Sequence, residues 1–206
     1  MNEEGYREVL TVEPAGGERK EAWRNLLKGL VERGLHGVRL VISDDHPSIR
    51  QAVMAELPGA SWQRCVVTLC GTFWPTCRSR SGSLQEVFVA RRRGTAESLA
   101  RGFVERYQDR FKRAVAVFAQ GLGEALTYLD FPGVHQRHIK STNVLEQLIR
   151  EVKRRTRVVG VFPGEGSLVN LATVVMLRAT EDWAFRRYLD MGPLWAAEEK
   201  PTKIAT

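Results

Sequence analysis

Val38-Arg39-Leu40-Val41-Ile42, followed by Ser43-Asp44-Asp45-His46-Pro47, is the stretch whose reading decides the fold. A β-branched apolar run stopped by a polar turn reads as a strand buried in a sheet. Helical spacing of Ile49, Val53, Met54 and Leu57 follows, closed by Pro58-Gly59, and Ser61 to Val67 reads as a second core strand. Strand, helix and strand thus follow in succession, an α/β pattern. Upstream, residues 6–12 (YREVLTV) read as a short strand. Glu18 to Glu32 carries Trp23, Leu26, Leu27, Leu30 and Val31 at helical spacing and stops before Gly34.

Downstream the pattern turns helical. Leu84 to Leu129 predicts two or three helices, with Phe103, Tyr107, Phe111, Val115 and Phe118 as one spine, until Pro132-Gly133 breaks it. A helix over the stretch beginning Asn143 comes next, then Val158 to Phe162, then a helix from about Ser167 to Tyr188. A frayed tail is expected after Gly192. Residues 68 to 83 (TLCGTFWPTCRSRSGS) show no periodicity.

The 206 residues, 43% of them hydrophobic, suit one domain or one plus an appendage. The formal net charge is +7, and residues 135–157 concentrate seven Arg/Lys against two Glu. A surplus focused in this way favours a nucleic-acid surface over a generally basic coat. No apolar run has the length of a membrane span and no signal-peptide pattern is present, so a cytoplasmic protein is expected. Cys65, Cys70 and Cys77 fit no common zinc spacing and are expected as reduced thiols. The four histidines are too scattered to build a four-ligand metal site.

Two carboxylates stand out. On a helix, Glu146, Arg150, Lys153 and Arg157 share one face, and Leu145, Leu148, Ile149 and Val152 make an apolar stripe on another. The same spacing has a second meaning: Asn143 followed three residues later by Glu146 resembles a capping box. Asp44 stands where a strand opens into a helix, the place where α/β folds present functional side chains, although Asp44, Asp45 and Ser43 are also rival caps for the helix at Pro47. A strand-end Asp and a helix-borne Glu with a helical insertion between them suit a two-metal phosphoryl-transfer site, whose cations take carboxylate oxygens.

The order W23…RGLHGVRLVISDDH, ASWQRC, FP…KSTNVLEQLIREVKRRTRVVGVFP and EDWAFRRY, from about Asn2 to Tyr188, resembles the Mutator-type transposase family of bacterial insertion sequences. The resemblance implies an incomplete ribonuclease-H-like domain, a short mixed sheet flanked by helices with an α-helical insertion, and an Asp-Asp-Glu triad that cuts DNA and transfers strands. It makes Asp44 the second Asp and Glu146 the Glu, holding Mg²⁺ or Mn²⁺. Arg150, Lys153, Arg154, Arg155 and Arg157 then neutralise phosphates of the element's ends or of target DNA.

The implied division is a truncated N-terminal part of the core over 1–67, an insertion over 68–133, the C-terminal part of the core over 134–190, and a tail over 191–206. The first Asp of the family lies on a strand upstream of the region matching residues 2–12, so it is expected to be absent, with Glu3, Glu4 and Glu8 weak substitutes. The family pattern after WQRC, of the type HFVRNVLAHVPK, is replaced by Thr68 to Arg78. A one-base slip through a coding string for that pattern reproduces those eleven residues, so residues 68 to about 80 read as a frameshifted patch. The expectation is a transposase fragment inactive alone. Its alternative is a non-catalytic DNA-binding regulator, nucleoid-associated when bound, that forms homo-oligomers or mixed oligomers with an intact transposase. An unrelated RNA-binding helical protein fits less well, since no aromatic-bearing sheet motif is present.

Overall fold

A computed structural model describes residues 1–14, 20–71 and 82–198. The chain divides into two compact units, one of Glu18–Thr142 and the other of Met1–Gly17 with Asn143–Thr206.

In the Glu18–Thr142 unit, helix α1 (Lys20–Glu32) leads into strand β1 (Leu40–Ser43), helix α2 (Pro47–Glu56) and strand β2 (Ser61–Arg64). The strands pair in parallel, with Leu40 opposite Ser61 and Ser43 opposite Arg64. Gly34 ends α1 at φ 103, a conformation that L-residues resist. Its N–H bonds the Val31 carbonyl while Leu35 N–H reaches back to Leu30 O, the Schellman closure. Pro47 starts α2, where its missing N–H costs nothing. The amphipathic faces of α1 and α2 pack on each other.

Helices α3 (Val66–Gly71), α4 (Gly82–Val89), α5 (Arg93–Tyr107) and α6 (Lys112–Ala125) follow, then a 3-10 turn (Thr127–Asp130) and the short α7 (Gln136–Ile139). The aromatic spine forms: Phe103 meets Tyr107 at 4.8 Å and Phe118 at 5.3 Å between ring centroids, and Tyr107 meets Phe111 at 6.2 Å. Phe88 of α4 joins it edge-on to Phe118 at 6.3 Å. Strand β2 lies against α6 and the 3-10 turn, which brings the sheet and the spine into one core.

The other unit pairs α8 (Asn143–Val159) with α9 (Glu165–Ala179), followed by a 3-10 segment (Glu181–Phe185) and α10 (Gly192–Glu198). Its N-terminal segment is clasped by the chain near residue 188. The Gly5 carbonyl accepts N–H bonds from Tyr188 and Leu189, and the Arg7 guanidinium lies 3.2 Å from the Tyr188 ring centroid.

Five expectations change. Residues 6–12 form no strand, because their neighbours offer this clasp rather than a ladder of hydrogen bonds. The second strand stops at Arg64 instead of Val67: Val66 N–H goes to Lys140 O and the chain turns into α3. The long C-terminal helix ends at Ala179, where the Thr180 hydroxyl donates to the Met176 carbonyl at 2.8 Å and a 3-10 turn takes over. Residues 192–198, expected to fray, are helical. The sheet among the described residues is two-stranded and parallel, not mixed. Of the suspected frameshifted patch, Thr68 to Gly71 lie in α3, and residues 72–80 fall outside the described residues. Among the described residues no helix is long and apolar enough to cross a membrane.

Candidate functional site

Helix α8 is built mainly from straight-chain residues that lose little rotamer freedom in a helix. Its Leu148 and Val152 are half-buried and Leu145 and Ile149 exposed, so the predicted apolar stripe is present but no α8 residue is fully buried. The opposite side carries the basic groups. Arg150, Lys153, Arg154 and Arg157, with Val158, line one shallow open groove. Spacings of three and four residues put these side chains on one face.

Of the five cations expected at DNA, Arg155 is the one outside this groove. Both Arg154 and Arg155 are engaged by Glu151. Arg154 donates to its two carboxylate oxygens at 2.8 and 2.7 Å, and Arg155 donates to one of them at 3.0 Å. The hydrogen bonds from these two guanidinium groups hold the Glu151 carboxyl at about 2, well below the usual carboxylate range. Among the described residues Arg150, Lys153 and Arg157 make no ion pair. Glu146 sits half-buried in the first turn of α8. Asn143 is the first residue of the helix rather than its cap, which moves Glu146 one position beyond the capping-box spacing.

Asp44 and Asp45 adjoin in sequence and differ in use. Asp45 accepts from Arg64 at 2.9 Å, and that arginine side chain is only 8% exposed. The Asp44 side chain is exposed and makes no hydrogen bond or ion pair among the described residues. Neither caps α2. The cap residue is His46, which makes no side-chain cap bond. Among the described residues the carboxylate of Asp44 therefore has no structural employment. Asp44→Asn is expected to change stability by less than about 0.5 kcal/mol. Asp45→Asn leaves a buried guanidinium without its counter-charge and is expected to cost about 1–3 kcal/mol. Paired urea melts check this, and equal losses at the two positions would contradict it.

The motif ASWQRC turns out to be a set of anchors. Trp62 Nε1 donates to Ser43 Oγ at 2.9 Å, and Ser43 Oγ donates to the Asp44 carbonyl at the same distance. The guanidinium of Arg64 lies over Gly121 of α6, where any Cβ would collide with it. Cys65, fully buried, ties two distant segments together. Its N–H bonds the Ser43 carbonyl at 2.7 Å, and its sulfur accepts from Thr142 Oγ1 at 3.2 Å and Thr142 N–H at 3.4 Å. Burial pushes the Cys65 thiol up, but the hydrogen bonds from Thr142 and Thr68 outweigh it and leave it below its ordinary value. Ser43 precedes Asp44, and Thr142 precedes α8, so the two launching points of the expected acidic residues meet at one cysteine. Asp44 and Glu146 themselves belong to different compact units.

Sequence reasoning missed this junction, since nothing local marks a thiol as an acceptor for a residue 77 positions away. It also missed the role of Glu151, although the spacing to Arg154 and Arg155 carried the signal. Cys65 and Cys70 are free thiols, and Cys77 lies outside the described residues. Among the described residues no three His, Cys, Asp or Glu side chains gather as a metal site.

The family model described as "Transposase, Mutator family" matches residues 1–185. The chain is 35% identical over 197 residues to the transposase for insertion sequence element ISRM5 of Rhizobium meliloti, covering 93% of this chain and 50% of that protein. It is 34% identical to the transposase for IS1081 of Mycobacterium tuberculosis, covering all of this chain and 52% of that protein. It is 31% identical to the transposase for IS256 in transposon Tn4001 of Staphylococcus aureus, with 92% and 51% covered. The chain thus spans about half the length of these curated relatives.

Proposed function

The chain belongs to the Mutator family of transposases, and from that premise we propose that it supplies part of a DDE-type active centre on a ribonuclease-H-like core, together with a helix that holds DNA. Asp44 and Glu146 are two of the acidic residues, and Arg150, Lys153, Arg154 and Arg157, flanked by Arg155, neutralise phosphates beside them. The reaction served is DNA cleavage and strand transfer in the movement of an insertion sequence, in the bacterial cytoplasm.

The observation that carries this reading is the Cys65 junction. It joins the residue before Asp44 to the residue before α8, while the Asp44 carboxylate is exposed and makes no bond among the described residues. Both acids offer the oxygen donors that Mg²⁺ or Mn²⁺ takes, and Mg²⁺ sites combine one or two carboxylates with phosphates and waters. Asp44 and Glu146 would be the residues to hold such an ion, which would supply Lewis-acid polarisation of a phosphodiester oxygen. In this reading α8 orients the duplex, and Asp44 and Glu146 offer carboxylate oxygens.

By itself the chain binds DNA without cutting it. In the N-terminal turn Glu8 accepts from Asn2 Nδ2 at 2.6 Å, and Asn2 Oδ1 accepts the backbone N–H groups of Glu4 and Tyr6. These bonds give the turn a structural occupation. The open basic groove of α8 equally suits a non-catalytic regulator that occupies DNA or joins mixed oligomers with an intact transposase.

The test incubates the purified chain with a plasmid bearing the element's ends and Mg²⁺ or Mn²⁺, and scores binding and nicking separately. Salt-sensitive binding without nicking is expected. Nicking by the chain alone that Glu146→Gln abolishes, with unchanged thermal stability, would establish catalysis and overturn the inactivity. Absence of DNA binding would remove the whole reading.

A further inference from the structure

Arg154 occupies two roles at once. Its side chain lines the groove with Arg150, Lys153 and Arg157, yet its guanidinium is held in a two-pronged bond by Glu151. We propose that Glu151 holds Arg154 in the place of a DNA phosphate, and that Arg154 exchanges the carboxylate for a phosphodiester when a duplex enters the groove. This rests on the DNA-binding reading of α8.

The chemistry of the exchange is matched. A phosphodiester presents two unesterified oxygens sharing one negative charge, the same fork that a carboxylate offers a guanidinium. Although its hydrogen bonds lower the Glu151 carboxyl, the outgoing pair is worth little, because both partners face solvent that screens them, with side-chain exposures of 62% for Arg154 and 33% for Glu151. Arg155 makes the exchange tolerable. It donates to a Glu151 oxygen at 3.0 Å and stands outside the groove, so it keeps that carboxylate compensated after Arg154 leaves. The unoccupied helix thus carries a built-in competitor that lowers its attraction for polyanions in general and releases a fourth cation to DNA.

The test measures anisotropy of a labelled blunt duplex of arbitrary sequence with the full chain across a series of salt concentrations. The variants are Glu151→Gln, Arg154→Ala and their combination, with Glu165→Gln on α9 as a charge control and circular dichroism to confirm folding. Arg154→Ala is expected to reduce the slope of log affinity against log salt by about 0.9, one phosphate contact. Glu151→Gln is expected to tighten binding about two- to fivefold at low salt, the worth of an exposed pair. That gain should exceed the effect of Glu165→Gln and vanish when Arg154 is alanine. An unchanged slope in Arg154→Ala, or a gain from Glu151→Gln that persists without Arg154 or equals the control, overturns the exchange. If the wild-type chain shows no salt-dependent binding, the underlying reading falls and the exchange with it.

Discussion

Gln63→Leu is expected to lower the stability of the Glu18–Thr142 unit by about 3–5 kcal/mol, since each buried polar group stranded by the change costs about 1–3 kcal/mol. Gln63 is fully buried on β2. Its Nε2 donates to the Ala125 carbonyl at 2.8 Å and the Arg64 carbonyl at 2.7 Å, and its Oε1 accepts the Tyr128 N–H at 2.7 Å. Ala125 ends α6 and Tyr128 lies in the following 3-10 turn, so one amide satisfies the backbone where that helix breaks. Leucine preserves the volume and removes all three bonds. Gln63→Glu separates shape from bonding, because a carboxylate accepts from Tyr128 but cannot donate to the two carbonyls. It is expected to lose nearly as much near neutral pH. Urea melts followed by circular dichroism check both variants, and a loss below about 1 kcal/mol for leucine, the net worth of one ordinary hydrogen bond, would show that water or a shifted backbone replaces the amide.

Phe118→Ala carries an expected loss of similar size for a different reason. The ring is fully buried and meets Phe88 and Phe103 edge-on, linking α4, α5 and α6. Truncation removes its transfer energy and leaves a cavity that close-packed helices fill only in part, about 3–5 kcal/mol. Native domains hold only about 5–15 kcal/mol in total, so the variant should be largely unfolded at temperatures the wild type tolerates. Tyr107→Ala, at a half-buried position of the same spine, is the comparison and should cost clearly less. Thermal melts of the two variants in parallel make the measurement. Equal losses would mean that the spine is not the centre of this core.

The spine was largely legible in advance because its members recur at helical spacing. Phe88 was not, since it comes from another helix and only packing brings it to Phe118. The site divides the same way. The basic run of α8 is visible as a run, and its shared face follows from the helical period alone. That Asp44 is idle while Asp45 is bound to Arg64 cannot be read from two adjacent aspartates, because the difference lies in an arginine on the neighbouring strand. The strand expected over residues 6–12 illustrates the opposite failure. β-Branched and apolar residues favour an extended chain, but a strand also needs a neighbour with a matching ladder of hydrogen bonds, and none of the described residues supplies one here.

The amino-acid order by itself determined the longer helices, the two-strand core with its intervening helix, the concentration of positive charge and the family. Those properties depend on local propensity, on periodicity and on the succession of motifs along the chain. Tertiary structure decided which side chains are employed. Gln63 finds Ala125 across 62 positions and Cys65 finds Thr142 across 77. A buried amide or thiol must satisfy its hydrogen bonds with whatever the fold brings beside it, and that neighbour is written nowhere near it in the sequence.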